Sequence, residues 1–189
     1  ISVPEFDALP APVYFRYAEI DADSHAQAHC HAWGSLDYVA HGVMRYEVAG
    51  QRFMSPPQYA LWIPPHTEHS SYNAQAIVCR SVYLDVAHCQ HLPSQPVTLA
   101  ISDILKAILS DFARRDVNIP QGEADKRLAH VLVDQLSQAS VHQCYLPYAN
   151  HPGLGVVLAA LQHQPGDNRP LGQWAAQVHV SERTLARLF

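Results

Sequence analysis

His29-Cys30-His31-Ala32-Trp33-Gly34-Ser35-Leu36-Asp37-Tyr38-Val39 is the stretch that decides the fold. From Ser35 to Val39 polar and apolar residues alternate, the two-residue period of a strand whose faces meet different surroundings. At that period the imidazoles of His29 and His31 project from one face, as two ligands of a single metal must, and Cys30 points the other way. β-Formers recur on both sides. They cover residues 13–18, residues 43–48 and 52–54 around the short loop Ala49-Gly50-Gln51, residues 59–63 ahead of Pro64-Pro65, and residues 76–84. Many short strands with regular turn signals and no helices between them predict an antiparallel sandwich or barrel.

Composition narrows the class. Of 189 residues, 48% are hydrophobic and 15% charged, the balance of a folded globule rather than a disordered chain. No run of roughly 18 apolar residues offers a membrane span. The first residues lack the charged-then-apolar pattern of a secretory leader, and Cys30, Cys79, Cys89 and Cys144 form no CxxC pair. Reduced thiols and a cytoplasmic location are therefore expected. Residues 1–150 carry a net charge of −6 and residues 151–189 a net +1, so contact with a polyanion falls to the C-terminal segment. Thirteen histidines exceed the 12 lysines and arginines together, which directs attention to metal chemistry.

After residues 92–96 the period changes. Ile101, Ile104, Leu105, Ile108, Leu109 and Phe112 repeat at three and four, and a second stripe runs through Leu128, Val131, Leu132, Gln135 and Leu136. These two amphipathic helices either cover the barrel or pair with the same helices of a second copy. The organisation expected is a barrel over residues 1–95, helices over 96–145 with a homodimer interface through 98–140, and a further helical part over 150–189. His151-Pro152-Gly153 marks the last boundary.

A third imidazole is offered by Pro64-Pro65-His66-Thr67-Glu68-His69. His29, His31 and Gly42, then Pro64, His69 and Asn73, fall at the spacing of two motifs, G(x)5HxH(x)3–4E(x)6G and G(x)5PxG(x)2H(x)3N. In this the chain resembles the cupins, which implies a small double-stranded β-helix barrel over residues 12 to 90. Four positions depart from the pattern. Asp23 stands for the first glycine, Ser35 for the metal-binding glutamate, and Gln58 and His66 for the glycines of the second motif. The remaining set, His29, His31 and His69 with His25 and His66 in reserve, either holds a metal such as Zn, Ni or Fe with an open position, or lines a small-molecule pocket. Trp33, Tyr38, Tyr46 and Trp62 are candidates for the walls of an effector pocket or for plain core.

Residues 171–189 read as helix, tight turn, helix, with Ser181 as N-cap of the second helix. An ordinary αα-hairpin would look similar. The pattern W-A-x-x-x-x-x-S-x-R-T-L-x-R-L-F, from Trp174 to Phe189, resembles the first helix-turn-helix of AraC-type transcription regulators. His179 stands where that family has a turn glycine. The resemblance implies a DNA-binding regulator whose barrel senses a small molecule or metal, with Ser181, Glu182, Arg183, Thr184 and Arg187 along the recognition helix and no catalytic residues. Arg183 is the candidate for a base contact; Ser181 and Arg187 suit phosphate. Because that family's DNA-binding region resembles a pair of such units, a chain ending at Phe189 is expected to bind DNA poorly. The alternative is a metal-dependent cupin enzyme of dioxygenase or isomerase type, with Glu68 and Tyr46 as its acid–base candidates.

Overall fold

A computed structural model describes residues 6–142, 152–164 and 166–188; Cys144, His151 and Phe189, singled out above, lie outside the described residues. Two compact units divide the chain near residue 144.

Among the described residues of the first unit, ten strands form two antiparallel sheets. The strands are β1 (Val13–Ile20), β2 (Ser24–His29), β3 (Gly34–His41), β4 (Met44–Val48), β5 (Gln51–Ser55), β6 (Tyr59–Ile63), β7 (His69–Asn73), β8 (Ile77–Leu84), β9 (Val97–Ala100) and β10 (Val141–His142). One sheet has the order β1-β8-β3-β6-β9-β10 and the other β2-β7-β4-β5. The β4–β5 turn is Ala49-Gly50 alone, with φ of 49° and 76°. Two positive φ values in a two-residue loop match the right-handed twist of the flanking strands.

Two helices, α1 (Asp103–Arg114) and α2 (Glu123–Ser137), lie between β9 and β10. They cover the outer face of the larger sheet, so that sheet is buried on both sides. Leu36, Tyr38, Trp62, Val82 and Leu84 face Leu105, Ile108, Leu109, Phe112 and Leu132 across one core. Ile20, Val39, Met44, Phe53, Leu61 and Ile63 fill another, inside the barrel. The segment 96–145, expected as a separate helical region, is therefore part of the barrel unit: β9 and β10 extend its sheet and α1 and α2 complete its core. The turn after α1 is stitched to β1, where Phe15 N–H donates to Asn118 O (2.8 Å) and Asn118 Nδ2 donates to Phe15 O (2.9 Å). Ile104 and Val131, read as part of the apolar stripes, stay 53% and 43% exposed because they flank the seam with the sheet.

The second unit contains α3 (Pro152–His163), α4 (Leu171–Gln177) and α5 (Glu182–Leu188). Leu154, Val157, Leu158, Trp174, Ala175 and Leu185 form its core. At the end of α4, Val180 N–H donates to Ala175 O (3.0 Å) and His179 N–H to Ala176 O (3.2 Å), while His179 has φ 56°. This is the double hydrogen bond of a Schellman cap, whose left-handed residue is usually glycine. Ser181 Oγ accepts from Thr184 N–H at 3.1 Å and so caps α5.

Candidate metal and effector site

β2 and β7 pair antiparallel with His29 opposite His69, and a register shift between Ala26 and His29 bends the end of β2. The strand stops at His29, so Cys30 and His31 continue in the connection to β3. Both rings still converge. The His69 ring centroid lies 4.3 Å from that of His29 and 4.9 Å from that of His31. One ring nitrogen from each lies within 4.8 Å of the other two. Cys30 is exposed and outside the group.

The main chain sets the tautomers. His29 Nδ1 faces Gln27 O at 2.8 Å, His31 Nδ1 faces Trp33 O at 2.7 Å, and His69 Nδ1 faces Thr67 O at 2.9 Å. A carbonyl only accepts, so each Nδ1 carries the proton and each Nε2 keeps a lone pair for a cation. A backbone partner on the second ring nitrogen is the usual outer shell of a metal-binding histidine. Burial pushes the His31 imidazolium down to about 4, with the neighbouring His69 adding to it. Burial also lowers His69. Both rings are neutral at pH 7 and free to ligate. A tetrahedral centre with metal–nitrogen bonds of 2.0–2.1 Å needs nitrogens about 3.4 Å apart. The donor set therefore fits a divalent metal after a small contraction.

Beside the triad is a cavity of about 50 Å³ lined by polar groups from both sheets, among them Arg16, Trp33, Ser35, Asp37, Tyr46 and Ser81. Asp37 Oδ1 accepts from Ser81 Oγ (2.6 Å) and Ser35 Oγ (3.0 Å). Trp33 Nε1 and Tyr46 Oη are buried without a hydrogen-bond partner. An unmet buried donor costs about 1–3 kcal/mol.

Of the aromatic residues singled out for the pocket, Trp33 and Tyr46 line this cavity; Tyr38 and Trp62 do not. Odd-numbered positions of β3 point into the barrel, so even-numbered Leu36 and Tyr38 face the helices, and Trp62 sits across from Leu36. Its indole donates to Pro93 O at 2.8 Å. The reserve ligands His25 and His66 are exposed and outside the triad. His66 serves through its backbone, whose N–H donates to His31 O at 2.8 Å. Sequence reading missed Asp37 and Ser81. The alternation of β3 could have pointed to Asp37, an acid at an inward position next but one to Ser35.

On α5, Arg183 and Arg187 are exposed. A Cβ at Gly172 of α4 would meet the end of the Glu182 side chain, which is exposed and can turn aside.

A two-sheet barrel carrying a histidine-lined cavity and covered by a helix pair defines a cupin-like fold. A family model described as the AraC-like ligand binding domain matches residues 11–136, and the chain belongs to that family. Over 161 residues it is 34% identical to the HTH-type transcriptional regulator NimR of Escherichia coli K12, a match covering 85% of this chain and 58% of NimR. The chain thus spans less than two thirds of that relative. A crystal structure of apo ToxT from Vibrio cholerae, in a lysine-to-alanine variant, shares the fold at 5% identity and TM-score 0.51, covering 94% of this chain and 74% of ToxT. A cupin superfamily protein from Desulfitobacterium hafniense aligns with 41% of the chain at 14% identity and TM-score 0.39.

Proposed function

We propose that this chain belongs to a sequence-specific DNA-binding transcription regulator of the cytoplasm, in which the barrel senses and α4–α5 contacts DNA. The observation that carries the reading is the pairing, in one chain, of an AraC-like ligand-binding domain with a helix pair closed by a Schellman cap and opened by Ser181. The effector site is the cavity beside His29, His31 and His69, with a divalent metal (Zn, Ni or Fe) held by the three Nε2 atoms. That metal would supply a Lewis-acidic centre on which an effector can be held, while the chain's own groups orient and hydrogen-bond it. Thr184, Arg183 and Arg187 would face DNA. Ile104 and Val131 are the exposed apolar residues through which residues 98–140 would pair in a homodimer.

A regulator is favoured over an enzyme by the acid–base candidates. Glu68 is exposed and does not line the cavity. Burial raises the Tyr46 phenol well above its ordinary value, so near neutral pH it serves as a hydrogen-bond donor rather than a base.

The test is enrichment of bound duplexes from a random-sequence pool at low salt, with Zn²⁺ and with chelator. A weakly enriched but reproducible consensus, in keeping with a single helix-turn-helix unit, whose recovery changes with metal is expected. Recovery of unselected sequence alone, regardless of metal, would overturn the reading.

A further inference from the structure

Three features of the barrel have no use in the triad itself. The first is Ser35, 2% exposed, which stands on the inward face of β3 where the motif quoted above has a carboxylate. The second is the cavity of about 50 Å³ that Ser35 helps line. That exceeds the roughly 10–15 Å³ needed for a water and is far below the roughly 300–1,000 Å³ of a drug-sized site. The third is the pair of donors, Trp33 Nε1 and Tyr46 Oη, on residues only 6% and 5% exposed that line the same cavity and have no partner.

Each feature constrains a ligand. The inner part of the cavity admits only a few non-hydrogen atoms, and its mouth is open. An indole N–H donates and never accepts, so the ligand brings an acceptor; the tyrosine hydroxyl can donate to a second one. The formal charges around the cavity are those of Arg16 and Asp37, which cancel, and of the divalent metal, which does not. The site therefore favours an anion. Three histidine nitrogens leave at least one coordination position open, and among the described residues no carboxylate joins the group.

We propose that the barrel recognises a small carboxylate, of formate to acetate size, which completes the three-histidine centre in place of the acidic side chain that Ser35 lacks. It rests on the metal centre of the proposed function. One carboxylate oxygen takes the open metal position, and the carboxylate oxygens accept from Trp33 Nε1–H and Tyr46 Oη–H. Ligand and metal then raise each other's affinity by the same factor.

The experiment titrates the chelator-stripped chain with Co²⁺, reading the visible absorption of the bound ion, in sodium acetate and in sodium chloride of equal ionic strength. Acetate is expected to change the cobalt spectrum and to tighten Co²⁺ binding at least tenfold over chloride. Tyr46→Phe is expected to keep Co²⁺ and lose most of the acetate effect. Ser35→Glu is expected to show the acetate-type spectrum without acetate. If Ser35→Glu fails to fold, Tyr46→Phe alone decides. Co²⁺ binding with no difference between acetate and chloride, or an undiminished acetate effect in Tyr46→Phe, would overturn the carboxylate proposal and leave the metal centre standing. Failure of the wild-type chain to bind Co²⁺ overturns both.

Discussion

Replacing His66 by glycine should make the protein more stable while leaving metal binding intact. His66 follows Pro64-Pro65 and has φ 58°, in the left-handed region where a Cβ crowds the carbonyl that follows. That conformation costs an L-residue about 1–2 kcal/mol. Glycine avoids the clash but loses about 0.5–1 kcal/mol more backbone entropy on folding. The difference leaves His66→Gly more stable by about 0.5–1 kcal/mol, a rise of roughly 1–4 °C in melting temperature for a unit of this size. Nothing offsets the gain, because the His66 ring is exposed and outside the triad, while the N–H that holds His31 O survives the substitution. His66→Ala is the control. It removes the same imidazole but keeps a Cβ in the strained conformation, so it should stay within about 0.5 kcal/mol of wild type. Urea unfolding of the metal-free protein, followed by tryptophan fluorescence, gives the three stabilities, and competitive Zn²⁺ titration gives the affinities. A glycine variant less stable than wild type would refute the backbone argument. A loss of Zn²⁺ affinity shared by both variants would show that the His66 ring ligates.

The remaining expectations concern the triad and its support. His69→Ala should abolish stoichiometric Zn²⁺ binding by elemental analysis, whereas His25→Ala should retain it, since His25 is exposed and outside the group. Gly34→Ala should lose about 3 kcal/mol in urea unfolding, from overpacking and a displaced indole donor. Its Cβ would run into the ring of fully buried Trp62 and stand 2.8 Å from Cys89 Sγ. Gly50→Ala, with nothing within 4 Å but φ 76°, should lose only the backbone strain of about 1 kcal/mol. The metal-free protein should lose stability as pH falls from about 6.5 toward about 4, because His31 is neutral in the fold over that interval and protonated in the unfolded chain. A chemical-denaturation series over pH 4–7 that is flat, or that rises toward acid, would contradict the burial of these rings.

Much of the barrel is legible in the sequence because a strand buried on one face announces its period. β3 shows both the strength and the limit of that signal. Ser35, Asp37 and Val39 alternate with Leu36 and Tyr38, yet every one of them is buried, since the sheet has the barrel's core and cavity on one side and helices on the other. Period alone cannot say which face is the interior, so it leaves Tyr38 and Trp62 open between pocket wall and core; they are core beneath α1 and α2. β2 and β7 leave a weaker trace. Ser24–His29 and His69–Asn73 are polar and partly exposed, and only the histidines and Asn73 draw attention to them. The departures from the glycine pattern are legible in a different way. At Asp23, His66 and His179 the structure keeps positive φ of 56°, 58° and 56° without glycine. The backbone shape is retained there by Asp and His, which with Asn are the non-glycine residues enriched at positive φ. Gln58 is different: it lies in an ordinary turn with no positive φ.

The recognition helix separates into residues that fold it and residues left over for DNA. Ser181 Oγ accepts the Thr184 amide and lies 2.8 Å from Thr184 Oγ1, so its hydroxyl is committed to the cap. Ser181→Ala should therefore cost about 1 kcal/mol of stability in the second unit. The Glu182 carboxylate lies against Gly172 at the start of α4, an acid near a helix N-terminus, and its charge opposes a phosphate. Arg183 and Arg187 remain, both exposed and without an ion pair among the described residues. If they contact DNA as proposed, Arg187→Ala should weaken binding to all duplexes alike and lower the slope of log affinity against log salt by about 1. Arg183→Ala should cost about 1–3 kcal/mol on a selected duplex and much less on a random one, because a bidentate arginine–guanine contact discriminates as well as attracts. Fluorescence anisotropy across a salt series at low ionic strength separates the two behaviours. Equal losses for both variants on selected and random DNA would mean that the helix docks on phosphates alone and that sequence is read elsewhere in the protein.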